Sequence, residues 1–215
     1  MWAIMETLHL LLAFSWLLYF AIHSIIASLK MKRWVVAHWP EMMCLYRLIF
    51  NLLAVFLIIP PLLLMYFLHG PWLWQWSGMA AWLANGLALL ALLGFAWSLR
   101  YYDGQEFLGL RQWRAGIKTV EDQERFQISP LHRFVRHPWY SLTLVLIWTR
   151  DMDAAFLVTA VAFTLYFILG SWLEERKLIQ YHGEIYRRYR EQVPGLIPLP
   201  WRYLSRKQVN ELLGN

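Results

Sequence analysis

The chain has 215 residues and a mass of 25.7 kDa, with 59% hydrophobic residues, 16% charged residues, 14 tryptophans and a mean hydropathy of +0.38. Soluble domains carry about 25% charged and about 45 to 50% apolar residues, so an ordinary water-soluble domain is excluded. The apolar excess also excludes disorder, and a single cysteine, Cys44, which reads as an apolar filler, excludes a disulfide-stapled fold.

Taken in chain order, uncharged apolar runs cover about residues 8–29, 48–68 and 79–99. Each is close to the roughly 20 residues that cross a bilayer as a helix. Pro60 and Pro61 are expected to kink the second helix. A fourth stretch, 139–149, is too short unless its helix begins near Leu131, and a fifth, 154–173, is long enough. Near the amino terminus stand Glu6 and no basic flank, and no small-residue cleavage site follows the first run, so that run is expected to be a retained helix. The expectation is an all-α integral membrane protein with five transmembrane helices. The last two form a short hairpin, followed by an amphipathic helix at a cytoplasmic carboxyl end. Residues 1–215 read as one domain, with a three-helix membrane part over 1–99 and a more charged part over 100–215.

Charge orients this bundle. Of the 20 lysines and arginines, 19 fall in segments 30–47, 100–136 and 174–215, together with 11 of the 14 acidic residues, an excess of eight positive charges. The loop 69–78 has no charge and carries Trp72, Trp74 and Trp76, as an aromatic belt does, and Arg150 is the one basic residue on its side. The positive-inside rule therefore places the three basic segments in the cytoplasm and the amino terminus outside, as in a bacterial inner membrane. Such a surface suits anionic lipid head groups; no base-reading motif is present, so nucleic acid is not an expected partner.

Chemistry concentrates at the two ends of the hairpin. Arg133, Arg136 and His137 precede Pro138 and Tyr140, while Glu174 and Glu175 follow the last apolar run. A hairpin returns to the face it left, so the two groups are expected to be neighbours. A charge at the bilayer centre costs about 2.5 to 3.5 kcal/mol or more, which confines them to the interface or a wet cavity. Successive helical residues point about 100° apart, so the paired carboxylates cannot both face one partner. Either a multi-group ligand uses both, or one binds ligand while the other holds a helix; a salt-bridged helix end is the structural alternative. Further on, Gly183 is expected to end a helix, Tyr186 and Tyr189 to share a face, and Pro194 and Pro198 to force an extended exit. That segment reads as an amphipathic surface helix or as a lid over the polar mouth.

Arg136-His137-Pro138-Trp139-Tyr140, Glu174-Glu175, Gly183, Tyr186, Tyr189, Val193-Pro194 and Ile197-Pro198 together resemble the carboxyl-terminal signature of isoprenylcysteine carboxyl methyltransferases and related phospholipid methyltransferases. Phe107 to Gln112, His23-Ser24 and Tyr46 to Asn51 resemble more narrowly the bacterial methanethiol S-methyltransferase and NnrU-type branch. The resemblance implies an integral-membrane methyltransferase that uses S-adenosylmethionine on a small or lipophilic acceptor, a thiol or an isoprenylcysteine-like carboxylate, with 100–215 as the cofactor-binding part. It implies cofactor-binding roles for Arg136, His137, Pro138, Tyr140, Glu174, Glu175, Tyr186 and Tyr189. Arg136, Arg133 and Arg111 are the candidates for favouring a thiolate or orienting a carboxylate. The superfamily pattern has glycine two residues after the tyrosine, where this chain has Leu142. A leucine there is expected to alter the pocket, and it keeps open a non-catalytic assembly or interaction module of the same fold. Two further alternatives are a haem or quinone redox protein built on His9, His23 and His69, and a sterol-reductase relative. No paired-histidine spacing recurs on two helices, and no metal site is expected; His23 with Ser24 reads rather as an interhelical hydrogen-bonding pair.

Overall fold

A computed structural model describes residues 2–120 and 126–214. Glu121, Asp122, Glu124 and Arg125, which enter the charge count, lie outside the described residues. The described chain is almost wholly helical. Its helices are α1 (Trp2–Ala27), α2 (Leu29–His38), α3 (Tyr46–Phe67), α4 (Gly78–Ser98), α5 (Gly104–Leu108), α6 (Leu110–Arg114), α7 (Pro138–Trp148), α8 (Ala154–Gln192) and α9 (Arg206–Leu213). The ribbon β1 (Trp72–Trp74) and β2 (Met152–Asp153) was not foreseen. Four helical segments are long and apolar enough to cross a membrane: Glu6–Ala27, Pro40–Phe67, Gly78–Tyr101 and Ala154–Gln192. Their outward faces carry side chains such as Leu10, Val55 and Trp82, all exposed, which is the surface a helix shows to lipid. α3 runs on through Pro60 and Pro61.

The fifth expected span is the point of difference. α7 starts at Pro138, and Leu131–Arg133 forms only a single 3-10 turn. His137, with φ −122° and ψ 69°, cannot continue a helix into the proline, whose ring crowds the preceding residue out of the α region. With 11 residues, α7 rises about 16 Å, roughly half of the 30 Å hydrocarbon layer. The described residues thus hold four spans and a half-length helix rather than five full spans.

The chain forms two compact units. The first comprises Met1–Trp74, Tyr102–Gln123 and Met152–Ala162. In it α1 packs on α3, and the fully buried Trp16 donates its indole N–H to Thr159 Oγ1 at 3.0 Å, satisfying two polar groups that lipid could not. α1 gives way to α2 at Ser28, whose hydroxyl accepts the Met31 N–H and caps the new helix. β1 pairs antiparallel with β2, so the segment leaving α3 and the segment entering α8 meet at one end of this unit. The loop of α5 and α6 docks on the start of α3. At Gly109, with φ +87°, a Cβ would lie 2.7 Å from the Leu48 nitrogen, so only glycine permits the approach. Asn51 Nδ2 donates to the Phe107 carbonyl at 3.0 Å, and the His23 ring lies 4.9 Å from that of Phe50. Three motif fragments that are scattered in sequence are therefore one cluster.

The second unit comprises Gln75–Tyr101, Glu124–Asp151 and Phe163–Asn215. α7 packs on a face of α4 that buries Ala84, Ala88 and Ala91, small residues that allow close approach in lipid. Trp139 donates its indole N–H to Ser98 Oγ at 2.9 Å across this contact. Gly183, with φ +54° and ψ −125°, breaks α8 as expected. The second arm of α8 packs Tyr186, Tyr189 and Val193 against Leu204 and Val209 in an apolar cluster.

Candidate active site

The approach to α7 and the chain after α8 are laced together by main-chain hydrogen bonds. Arg136 N–H donates to the Pro194 carbonyl at 2.9 Å, His137 N–H to that of Gly195 at 3.1 Å, and Leu204 N–H to that of Arg133 at 3.0 Å. The Ser141 hydroxyl donates to the Leu196 carbonyl. The segment that the prolines push into an extended path thus lies along the entrance of the hairpin.

This places an arginine, a histidine and both carboxylates in one network, as expected from a chain that goes out and back. Arg136 donates from Nε at 2.8 Å and from Nη2 at 2.7 Å to Glu175 Oε1. Its Nη1 donates to the carbonyls of Arg190, at 2.9 Å, and Val193. Four of the five guanidinium N–H groups are engaged, and the side chains of Arg136 and Glu175 are 12% and 10% exposed. Arg136 is therefore a clamp that fixes Glu175 and the exit of α8, with at most one N–H to offer a ligand.

His137 bridges the carboxylates, with Nε2 at 3.1 Å from Glu175 Oε1 and Nδ1 at 3.4 Å from Glu174 Oε2. A neutral ring has one donor and would leave one carboxylate without a proton, whereas the imidazolium serves both. Burial opposes that charge, but the hydrogen bonds it donates to Glu174 and Glu175 outweigh it and raise the His137 pKa above 6.5. His132 shows the opposite case: burial and the positive charge of His137, only partly offset by Glu174, lower it to about 4. It is therefore neutral at pH 7, with Nδ1 at 2.7 Å from the Ser129 hydroxyl.

The two glutamates are not equivalent, as their 100° separation implied. Glu175 is buried and its Oε1 takes the contacts from Arg136 and His137, while the Glu174 side chain is 46% exposed and is approached by His137 and by the Tyr140 hydroxyl, which donates at 3.3 Å. The Tyr140 ring stacks on His137 at 5.4 Å and on Phe167 at 4.6 Å, both nearly parallel, which holds an aromatic wall beside Glu174. Phe167 was missed in the sequence, although it lies seven residues before Glu174 and so shares its helix face.

The remaining expected residues serve the frame. Pro138 is buried as the first residue of α7. Tyr186 and Tyr189 are 2% exposed within the apolar cluster, and the Tyr189 hydroxyl donates to the His132 carbonyl at 2.7 Å. Arg133 Nε donates to the Leu204 carbonyl at 2.7 Å, tying down the tail. Arg111 belongs to the first unit, where it pairs with Asp103 at 3.2 Å and Glu106 at 3.4 Å. Leu142 faces Gly94 of α4: a Cβ on that glycine would come within 3.1 Å of Leu142 Cδ2. The leucine thus fills a notch between two helices, which accounts for its size without any change to the carboxylate network.

Arg136, Glu175, Ser171, Trp172, Gly195 and Leu196 border an open cavity of about 520 Å³. That lies within the range of small-molecule sites. At Gly195 a Cβ would stand 3.4 Å from Arg136 Nη2 and 4.0 Å from Glu175 Oε1, so the glycine keeps the floor of this cavity open.

Comparison with known proteins gives this arrangement its class. The chain is 34% identical over 195 residues to methanethiol S-methyltransferase 2 of Bradyrhizobium diazoefficiens, covering 88% of this chain and 71% of the relative. It is 34% identical over 197 residues to methanethiol S-methyltransferase of Mycobacterium tuberculosis, covering 84% and 74%, and 30% identical over 189 residues to that of Crocosphaera subtropica, covering 82% and 69%. No family model matches the chain, and no solved structure does. A helical membrane bundle with these relatives is an integral-membrane methyltransferase. More narrowly, the chain belongs to the methanethiol S-methyltransferase family.

Proposed function

We propose that the protein transfers a methyl group from S-adenosylmethionine to a small thiol, with methanethiol itself as the first acceptor to test. The acceptor comes from the names of the relatives, and the observation that carries the cofactor assignment is the unequal pair of glutamates at the hairpin mouth. The donor set fits. The cofactor presents an ammonium, a sulfonium and ribose hydroxyls, all of which suit a half-exposed carboxylate beside an aromatic wall. Glu174 would take the ammonium or a ribose hydroxyl, Tyr140 and His137 would bound the site, and Glu175 with Arg136 would line its cavity side. Tyr186, Tyr189 and Pro138 would hold that frame. When bound, the cofactor supplies an already electrophilic methyl group, so the protein needs to bind, align and desolvate rather than to activate.

The chain's own residues divide that work. Arg136 locks Glu175, His137 aims both carboxylates, and the Tyr140–Phe167 stack excludes water from one side. Arg133 and Arg111 remain candidates for favouring a thiolate acceptor. We place the four long spans and the half-length α7 in a bacterial inner membrane, amino terminus outside and carboxyl terminus in the cytoplasm, with α7 dipping in as the fifth membrane helix. The test is calorimetric titration of purified protein in detergent with S-adenosylhomocysteine. Saturable binding that weakens tenfold or more in Glu174→Gln is expected, since one charge-assisted hydrogen bond contributes about 1.5 to 3 kcal/mol. Unchanged affinity in that variant would refute the assignment.

A further inference from the structure

The segment after α8 is almost free of charge, yet much of it is not buried. From Val193 to Ser205 it carries one ionic residue, Arg202, among Ile197, Leu199, Trp201 and Tyr203. Val193 and Leu204 are enclosed in the apolar cluster, whereas Ile197 is 71% and Trp201 74% exposed. Tyr203 and Phe134 are also exposed, and their rings stack close to parallel at 5.8 Å. The Arg202 guanidinium is committed to the Glu191 carbonyl. Water is an unfavourable surrounding for such a group of side chains, in proportion to the apolar area left uncovered.

The position of the segment says what covers it. The carbonyls of Pro194, Gly195 and Leu196 accept from Arg136, His137 and Ser141 at the entrance of α7, and Ile197 and Leu199 border the same open cavity as Ser171 and Trp172 of α8. Trp172 and Leu173 end the apolar run of α8 and are exposed, like Leu165, Ile168 and Leu169 before them, and Glu174 is the first charge after it. The Arg176 guanidinium folds back over the Trp172 ring at 3.5 Å. Ile197 therefore adjoins the lipid-facing side of α8 at the depth where hydrocarbon gives way to head groups. Trp201 stands four residues on, in a turn that the Arg202 N–H closes by donating to the Leu199 carbonyl at 3.0 Å. With these four carbonyls satisfied, the irregular main chain is compatible with a layer poor in water.

We propose that residues 196–203 form an interfacial anchor whose partner is the bilayer itself. Ile197 and Trp201 dip into the boundary between acyl chains and head groups, and the stacked Phe134 and Tyr203 lie at head-group level, where amphipathic aromatic rings are favoured. The same segment holds the main chain of Arg136 and His137, so the anchor ties the carboxylate network to the membrane surface. The inference goes beyond the methyl-transfer reading and does not depend on it.

The experiment is site-directed spin labelling of the full chain in phosphatidylcholine liposomes, on a Cys44→Ala background, with single labels at Ile197→Cys, Trp201→Cys, Leu169→Cys and Lys207→Cys. Leu169 lies on the exposed apolar side of α8, and the Lys207 side chain is 88% exposed on α9. Power saturation with oxygen and with a water-soluble nickel chelate is expected to place the labels at positions 197 and 201 about 5 to 10 Å below the phosphate level, that at 169 deeper, and that at 207 in water. Should either tail variant fail to reconstitute, Leu199→Cys reads the same turn. Labels at 197 and 201 that lie outside the phosphate level, as open to the chelate as the one at 207, would overturn the proposal. So would dipolar broadening between labels at 197 or 201 on different chains, which would show a second copy covering the patch.

Discussion

Replacing Arg136 by alanine separates the frame of the site from its ligand-facing part. The side chain makes two charged contacts to Glu175, at 2.7 and 2.8 Å, and two bonds to the carbonyls of Arg190 and Val193. Its loss leaves a carboxylate that is 10% exposed with His137 as its remaining partner, and frees the exit of α8. Breaking a buried pair from one side costs about 3 to 5 kcal/mol, which for a chain of this size lowers Tm by about 6 to 20 °C. Glu174→Gln should behave differently. That side chain is 46% exposed and its contacts are 3.3 and 3.4 Å long, so its Tm should fall by only about 3 °C or less while cofactor affinity falls tenfold. Arg136→Lys keeps the charge but not the fork and should lie between the extremes in stability. The assay is thermal unfolding of the purified variants in detergent, with ligand titration of each at a temperature where it is folded. An Arg136→Ala protein as stable as the parent would refute the clamp. A Glu174→Gln protein as unstable as Arg136→Ala would refute the division of roles.

Three further outcomes are open to direct measurement. Leu142→Ala should cost about 2 kcal/mol, and Gly94→Ala should strain the same contact, so the double variant should be more stable than the two losses added; thermal double-mutant analysis checks this, and strict additivity would place Leu142 elsewhere. His137, with a pKa above 6.5 in the folded chain, stabilises fully below pH 6.5 and loses that contribution as pH rises through its raised value. His132, at about 4, stabilises above pH 6.5 and loses its contribution as pH falls towards 4. In Tm against pH, His137→Gln should remove the alkaline decline and His132→Asn should soften the fall between pH 6.5 and 4; a profile unchanged in both variants contradicts the assignment. Gly183→Ala should destabilise by about 1 to 3 kcal/mol, because φ +54° with ψ −125° is a conformation that residues with a Cβ rarely adopt. An unchanged Tm there would show that the break in α8 does not require that geometry.

What could be read from the sequence follows from the range of each physical signal. The four long spans were legible because the bilayer sets their length and excludes charge, a constraint that acts within one segment. The start of α7 was misplaced although its signal was present, since Pro138 bars His137 from the helix whatever the hydropathy around it. The pairing of β1 with β2 joins segments nearly 80 residues apart through three residues and two, too few to leave a periodic pattern. In the site, the meeting of Arg136 and His137 with the glutamates followed from hairpin geometry alone. That Arg136 is consumed did not, because its other partners are backbone carbonyls of Arg190 and Val193, which no side-chain pattern reveals. Leu142 looked like an obstruction because Gly94, the residue that makes room for it, lies 48 positions earlier on another helix.

The most direct test of the account is to give the purified protein S-adenosylmethionine carrying a deuterated methyl group, together with methanethiol, and to analyse the headspace by mass spectrometry. The account predicts dimethyl sulfide with one labelled methyl group, formed in proportion to enzyme and lost in the folded Glu174→Gln variant. Labelled product formed equally by that variant, or none formed from methanethiol or any other thiol by protein that binds the cofactor, would contradict it.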